Sequence, residues 1–331
     1  MEQEKLEILT ALHDLLSHNV IGSIQYKNRY NGFTAELDFQ QWFDLNRESA
    51  LIEGGMFIPT VKSQNPFEHS VYFTCSESSP SEFIDIYSSA STLASKGSFF
   101  IKYDTRPRFA DWERKQLFQS QQNGQFAEQL FHTPPFEVFE FNPKNRTFSS
   151  CSVTDISNRF VKSGSFLTKK YVPEVLKNHF IQKFQQFSVK SLLRLYVERL
   201  FFDGYLNLTF SRGAPLDIDS FVRARDGSLC LLEIKEKDVS KRDPKGFGMD
   251  LRRVDSLSML SDTFSTRVFY VVRHVNNQTQ RQFVNWMIID LEKFKSQIAH
   301  SPTKEGGTGM RSISSHNPTK VCRLEHFQLL K

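Results

Sequence analysis

The sequence lacks the features that would tie it to a membrane, an oxidising compartment or a common cofactor. No apolar run approaches the ~18–20 residues that a membrane span requires. The start of the chain, Met1–Leu16, is acidic and amphipathic, unlike a secretory leader. The four cysteines, Cys75, Cys151, Cys230 and Cys322, are scattered and form no C-x-x-C pair. That spacing argues against a disulfide framework or structural zinc and fits a reduced, cytoplasmic protein. The nine histidines make no H-x-H, HExxH or HNH-like grouping, so none is marked as a ligand. No G-x-S-x-G seats a serine nucleophile. Gly306-Gly307-Thr308-Gly309 lacks both a preceding strand and a following Gly-Lys-Ser/Thr, so it reads as a surface loop rather than a phosphate cradle.

What is present describes a soluble, globular chain. Its 331 residues suffice for one large or two ordinary domains, and 39% hydrophobic against 24% charged content supports a real core. Phenylalanine occurs 32 times, so that core should be rich in aromatic rings. Charge is divided unevenly. Residues 1–150 carry 13 Lys and Arg against 19 Asp and Glu, a balance of −6, whereas 151–331 carry 29 against 18, a balance of +11. A basic half suits a polyanionic partner such as DNA.

The most informative stretch is Pro215–Lys237, PLDIDSFVRARDGSLCLLEIKEK. Two alternating runs, Leu216–Ala224 and Leu229–Lys237, flank Arg225-Asp226-Gly227-Ser228, a strong hairpin signal. Alternation puts Asp217, Asp219 and Phe221 on one face of the first strand and Glu233, Lys235 and Lys237 on one face of the second. Leu232 and Ile234 point the other way, into a core. Carboxylates and a lysine therefore converge on one rim of the hairpin. Such a set suits phosphodiester hydrolysis, where carboxylate-held divalent cations offset the charge of the anionic substrate. Mg²⁺ takes hard oxygen ligands, typically one or two protein carboxylates plus water and phosphate. Asp219, Glu233 and the carbonyl of Ile234 could supply these. Lys235 would orient or help deprotonate the attacking water and stabilise transition-state charge.

Asp219 followed fourteen positions later by Glu233-Ile234-Lys235 resembles the PD-(D/E)XK signature of the restriction-endonuclease-like nucleases. The likeness covers roughly Lys190–Asp290. It implies a mixed β-sheet flanked by helices in α-β-β-β-α-β order, here in the C-terminal half. On this reading residues 161–331 are the nuclease domain and residues 1–160 an α+β domain for substrate recognition or dimerisation. The resemblance further implies Asp219, Glu233 and Lys235 as catalytic residues and Mg²⁺ as cofactor. Asp217 is an additional or alternative metal ligand, and Glu198, on the preceding helix, an auxiliary one. Lys241, Arg242 and Lys245 of the loop after the hairpin, with Arg252 or Arg253 of the next helix, would contact DNA. The overall likeness is greatest to a type II restriction endonuclease, which cuts both strands as a homodimer. A structure-directed repair or mobile-element nuclease, and an inactive nucleic-acid-binding relative of the same fold, are the alternatives. A plain ion-pair cluster on an unrelated hairpin is the third, and it requires that the three side chains not converge.

Elsewhere the periodicity predicts a helix over residues 1–18 and short strands at Ile24–Tyr26, Phe33–Phe39, Met56–Val61, Ser70–Thr74 and Ser98–Tyr103. Ser76–Ser98, with nine serines, reads as a loop or a weakly held helix. Asp111–Phe131 reads as helical and Phe136–Phe141 as a strand. Helices follow from Pro173-Glu174 and over Val189–Phe202, stopping at Gly204, then a strand at Tyr205–Phe210. After the hairpin come a loop to Gly248, a helix over Met249–Phe264, strands at Arg267–Val275 and Phe283–Asp290, and a final strand or short helix in Val321–Leu330. Glu36 and Asp38 alternate as Asp217 and Asp219 do, but no Glu-x-Lys strand follows them, and they read as structural.

Overall fold

A computed structural model describes the chain except residues 1, 19–22, 62, 64, 117–119, 123–124, 128–129, 161–166, 169, 206–214 and 306–317. The protein is a mixed α/β structure whose described residues include two six-stranded mixed sheets and eight α-helices. It divides into two compact units, each assembled from two stretches of chain: Met1–Lys27 with Gly55–Asp217, and Asn28–Gly54 with Ile218–Lys331. Among the described residues no helix is long and apolar enough to cross a membrane.

In the first unit the sheet runs Thr147–Cys151, Phe136–Asn142, Ser98–Tyr103, Ser70–Ser76, Met56–Pro59 and Leu216–Asp217. Helix Glu2–Leu16 forms as its apolar spacing dictates, burying Ile8, Leu9, Leu12, Leu15 and Leu16. The core is aromatic, as the phenylalanine count implied. Tyr87 lies edge-on to Tyr72 with ring centroids 5.2 Å apart, and its buried hydroxyl donates to the Phe99 carbonyl at 2.6 Å while accepting from the Thr74 N–H. Tyr87 belongs to the serine-rich stretch, which is a helix after all. Ser79 and Glu82 form a reciprocal capping box at the 3₁₀ turn Pro80–Phe83, which runs into helix Ile84–Leu93. Phe83, Ile86, Tyr87 and Ala90 anchor it to the core. The expected helix at Asp111–Phe131 is not found. Its described parts are short strands, Glu113–Lys115, Ser120–Gln122, Gln125–Ala127 and Phe131–Thr133, because its few apolar residues do not recur at helical spacing. Helices Glu174–Phe184 and Val189–Arg199 match expectation, the second continuing as a π-type turn to Tyr205. The strand expected at Tyr205–Phe210 and the Gly306–Gly309 segment lie, Tyr205 aside, outside the described residues.

The second unit opens with a helix where short strands were expected. Ser23–Asn46 is a single 24-residue helix, of which Asn28 onward belongs to this unit. Its aromatic residues fall on more than one face, and that spread imitates strand alternation. Ala35, Phe39 and Phe43 recur at i, i+4, i+8 and pack on Leu232, Ile234, Val271 and Trp286. Burying each of the larger side chains contributes about 1.5–3 kcal/mol. The sheet runs Ala50–Glu53, Ser220–Arg223, Leu229–Lys237, Arg267–Val275, Phe283–Asp290 and Gln328–Leu329. Leu229–Lys237 is antiparallel to Ser220–Arg223 and parallel to Arg267–Val275, reached through helix Leu251–Phe264. The hairpin turn is as its sequence dictates: Gly227 adopts φ +85°, and the Asp226 carboxylate accepts from the Ser228 N–H and hydroxyl. Gly246–Asp250, expected to be loop and helix start, is a strand paired with Pro318–Arg323. The chain's end is strand, 3₁₀ turn and strand.

The long helix carries one residue that serves no contact. A Cβ at Gly32 would meet nothing within 4 Å. Gly32→Ala should therefore stabilise the protein by about 0.5–1 kcal/mol, through lower unfolded-state entropy and better helix propensity. Urea denaturation checks this, with the midpoint rising and the slope unchanged.

Candidate active site

The expected first strand, Leu216–Ala224, is broken. Leu216–Asp217 pairs with Met56–Phe57 in the first unit's sheet, and pairing with Leu229–Lys237 begins only at Ser220, opposite Leu232. Asp219 sits in the break. Its side chain is 1% exposed, and Oδ2 accepts from the Ile234 N–H at 2.6 Å. The carboxylate thus continues the hydrogen bonding that the first strand's main chain has left off. A charge-assisted bond of this kind fixes its position.

Glu233 faces the same way on the second strand and is also 1% exposed. The Lys235 ammonium lies between the two, 3.1 Å from Asp219 Oδ2 and 3.0 Å from Glu233 Oε1. From the first turn of helix Leu251–Phe264, Arg253 reaches back to Glu233 Oε2. Two buried carboxylates and two cations balance. Tyr270 stands beside Glu233 on the neighbouring strand and donates to the Gly248 carbonyl at 3.1 Å. Burial raises its hydroxyl pKa, and the Glu233 charge adds to that. The expected convergence of Asp219, Glu233 and Lys235 is therefore present.

The donor set suits a hard divalent cation. Glu233 Oε1 is buried and lacks a hydrogen-bond donor in good geometry, although the Lys235 charge is close. An oxygen left this way is open to another cation. Among the described residues no group of three or more His, Cys, Asp or Glu gathers in metal-binding array. Asp219 and Glu233, with the Ile234 carbonyl, are oxygen donors that could hold a hard cation such as Mg²⁺, which keeps several waters, sooner than zinc, whose structural sites take a closed nitrogen and sulfur shell.

The remaining expected residues are distributed as follows. Asp217 belongs to the first unit's sheet. Glu198 also belongs to the first unit, ion-paired with Arg194 at 3.2 Å, one helical turn away. Lys241, Arg242 and Lys245 are exposed on the loop after the Glu233 strand, where Lys245 bonds the Lys241 carbonyl. Arg252 is exposed beside Arg253 on the helix. Lys237, on the same face as Glu233 and Lys235, is exposed as well.

A second cluster, missed in the sequence, lies on the opposite face of the Glu233 strand. Glu236, 1% exposed, accepts from Arg273 at 2.8 Å and pairs with Arg281. Arg273 also pairs with Asp38 of the long helix at 2.6 Å. Tyr30 lies near, its hydroxyl pushed up to about 12 by desolvation, which outweighs the pull of the Arg281 charge. The signal was available. Glu236 shares the alternation of Leu232 and Ile234, and a charge on the apolar face of a strand requires a partner.

Compared with protein-family models, with curated proteins and with solved structures, the chain matches none of them.

Two substitutions test this construction. A Cβ at Gly54 would overlap the Ile218 carbonyl oxygen and crowd Asp219. Gly54→Ala should cost about 1–3 kcal/mol as overpacking does, read as a lower denaturation midpoint. Glu236→Ala strands Arg273 and Arg281 without their shared carboxylate and should cost about 3–5 kcal/mol. A loss below 1 kcal/mol would mean that the network relaxes into water.

Proposed function

We propose that the chain is a Mg²⁺-dependent DNA endonuclease of the PD-(D/E)XK type, acting as a homodimer in the manner of a type II restriction endonuclease. The meeting of Asp219, Glu233 and Lys235 at one end of a hairpin carries the reading. The order of elements supports it: helix Ser23–Asn46, strands Ala50–Glu53, Ser220–Arg223 and Leu229–Lys237, helix Leu251–Phe264, strand Arg267–Val275. With the short strand Gly246–Asp250 set aside, this succession follows the α-β-β-β-α-β order that the resemblance implies, although its first helix and strand would then lie ahead of Gly55–Asp217 in the chain.

Asp219, Glu233 and the Ile234 carbonyl would hold Mg²⁺, which lowers the pKa of bound water and neutralises phosphate charge. Asp219 is fixed for that task by the Ile234 N–H, and Glu233 by Arg253. Lys235, one-third exposed, reaches from the carboxylates toward solvent. It would hydrogen-bond the attacking water and set its positive charge against the negative charge that develops on the phosphorus oxygens. Attack in line would leave a 5′-phosphate and a 3′-hydroxyl.

The test is incubation of plasmid and phage DNA with Mg²⁺ or EDTA, beside Lys235→Met, which keeps the stem and removes the charge. Cleavage should require Mg²⁺ and fall at least about 10²–10⁴-fold in the variant. Discrete bands support site-specific cutting, and a smear supports a structure-directed or non-specific nuclease. DNA retained in a gel shift but never cut would overturn catalysis and leave an inactive binding protein.

A further inference from the structure

On the Glu233 face of its strand the charges cancel in pairs, Asp219 and Glu233 against Lys235 and Arg253. Lys237 is the surplus. Alternation places it on that same face, and it has no hydrogen-bond or ion-pair partner among the described residues. The carboxylates that act on it through space are engaged elsewhere: Asp250 accepts from the Thr319 hydroxyl at 2.7 Å, Glu233 is paired with Lys235 and Arg253, and Asp238 accepts from Gln278 at 3.2 Å. The Lys237 side chain is exposed to solvent. Desolvation by the surrounding protein and the Lys235 charge lower the ammonium's pKa, against the pull of the neighbouring carboxylates. An exposed cation with no fixed partner, beside a cluster whose charges cancel, favours an incoming anion.

The loop that follows is pinned. Lys304 donates to Ser240 Oγ at 3.2 Å and to the Arg242 carbonyl at 3.1 Å. Lys241 and Arg242 are therefore exposed on a held backbone four and five residues after Lys237. Exposed cations thus follow the carboxylate cluster closely in the chain, at Lys237, Lys241 and Arg242.

We propose that Lys237 binds a backbone phosphate of the DNA substrate next to the Asp219/Glu233 cluster, as the innermost contact of a phosphate track continued by Lys241 and Arg242. The inference rests on the nuclease reading and extends it to substrate positioning. Lys237 is a binding residue, distinct in its effect from Lys235.

Fluorescence anisotropy with a labelled duplex tests it, from about 50 to 300 mM KCl, with EDTA and separately with Ca²⁺. Wild type is compared with Lys237→Gln, Lys237→Arg and Lys295→Gln, the last removing a half-buried lysine paired with Glu292. Lys237→Gln should lower the magnitude of the log–log salt slope by about 1 and weaken binding about tenfold near 0.1 M salt. Lys237→Arg should keep the slope, and Lys295→Gln should resemble wild type. An unchanged slope in Lys237→Gln, or an equal loss in Lys295→Gln, overturns the inference. If wild type cuts DNA with Mg²⁺ while the Lys237→Gln slope is unchanged, only this inference fails. If wild type neither binds nor cuts DNA, both readings fail.

Discussion

Glu233 and Glu236 are three residues apart on one strand, point to opposite faces, and are each 1% exposed. Isolated carboxylates are not stable in such places; each must be matched by cations close enough to replace lost hydration. The second unit is built around that requirement. On one face Lys235 and Arg253 meet Glu233, and Lys235 also meets Asp219. On the other Arg273 and Arg281 meet Glu236, and Arg273 reaches Asp38. The strand Leu229–Lys237 is thereby tied to the hairpin's first strand, to helix Leu251–Phe264 and to helix Ser23–Asn46 at once.

The two clusters differ in what they leave open. Around Glu236 the arginines come from the neighbouring strand and the turn beyond it, and the cluster continues an apolar core of Phe39, Ile234 and Trp286. Its charges are used up in cohesion. Around Glu233 one cation is a lysine, which presents a compact charge with no fork to lock it in place. One Glu233 oxygen also lacks a well-placed donor. Buried ion pairs are poor value as stabilisers compared with apolar packing. An incompletely satisfied acidic pair therefore agrees with the metal-binding role proposed for it, whereas the Glu236 network fits the scaffold that holds it.

Much of the second unit was legible because its strands are short, apolar and bounded by turn residues. Leu229–Lys237, Arg267–Val275 and Phe283–Asp290 have the expected limits, and alternation alone put Asp219, Glu233 and Lys235 together. Three things were not legible. Ser23–Asn46 buries residues on several faces, so no single apolar stripe stands out at period 3.6. Strand Ala50–Glu53 is four residues long and joins Ser220–Arg223 only because the chain returns to it after Gly55–Asp217, a pairing that local pattern cannot encode. The break at Ile218-Asp219 depends on the close approach of Gly54, again a contact between distant stretches. Glu198, singled out on the helix that precedes the hairpin in sequence, belongs to the other unit, which local pattern also does not reveal.

Exposure rises steadily along the Glu233 face of that strand. Glu233 is enclosed, Lys235 is one-third exposed, and Lys237 is open to solvent. Electrostatic interaction strengthens inward as water is excluded, and screening grows outward. A strand running from core to surface therefore grades its own side chains. Its innermost acid is held rigidly by fixed partners, its middle lysine can exchange one partner for another, and its outermost lysine is available to an anion arriving from solution. The hairpin's period of two sets this order, since every second residue lies about 7 Å farther toward water. If the substrate is a phosphodiester, as proposed, that sequence of environments would serve it, because the charged backbone would meet an exposed cation first and only then the carboxylates that repel it.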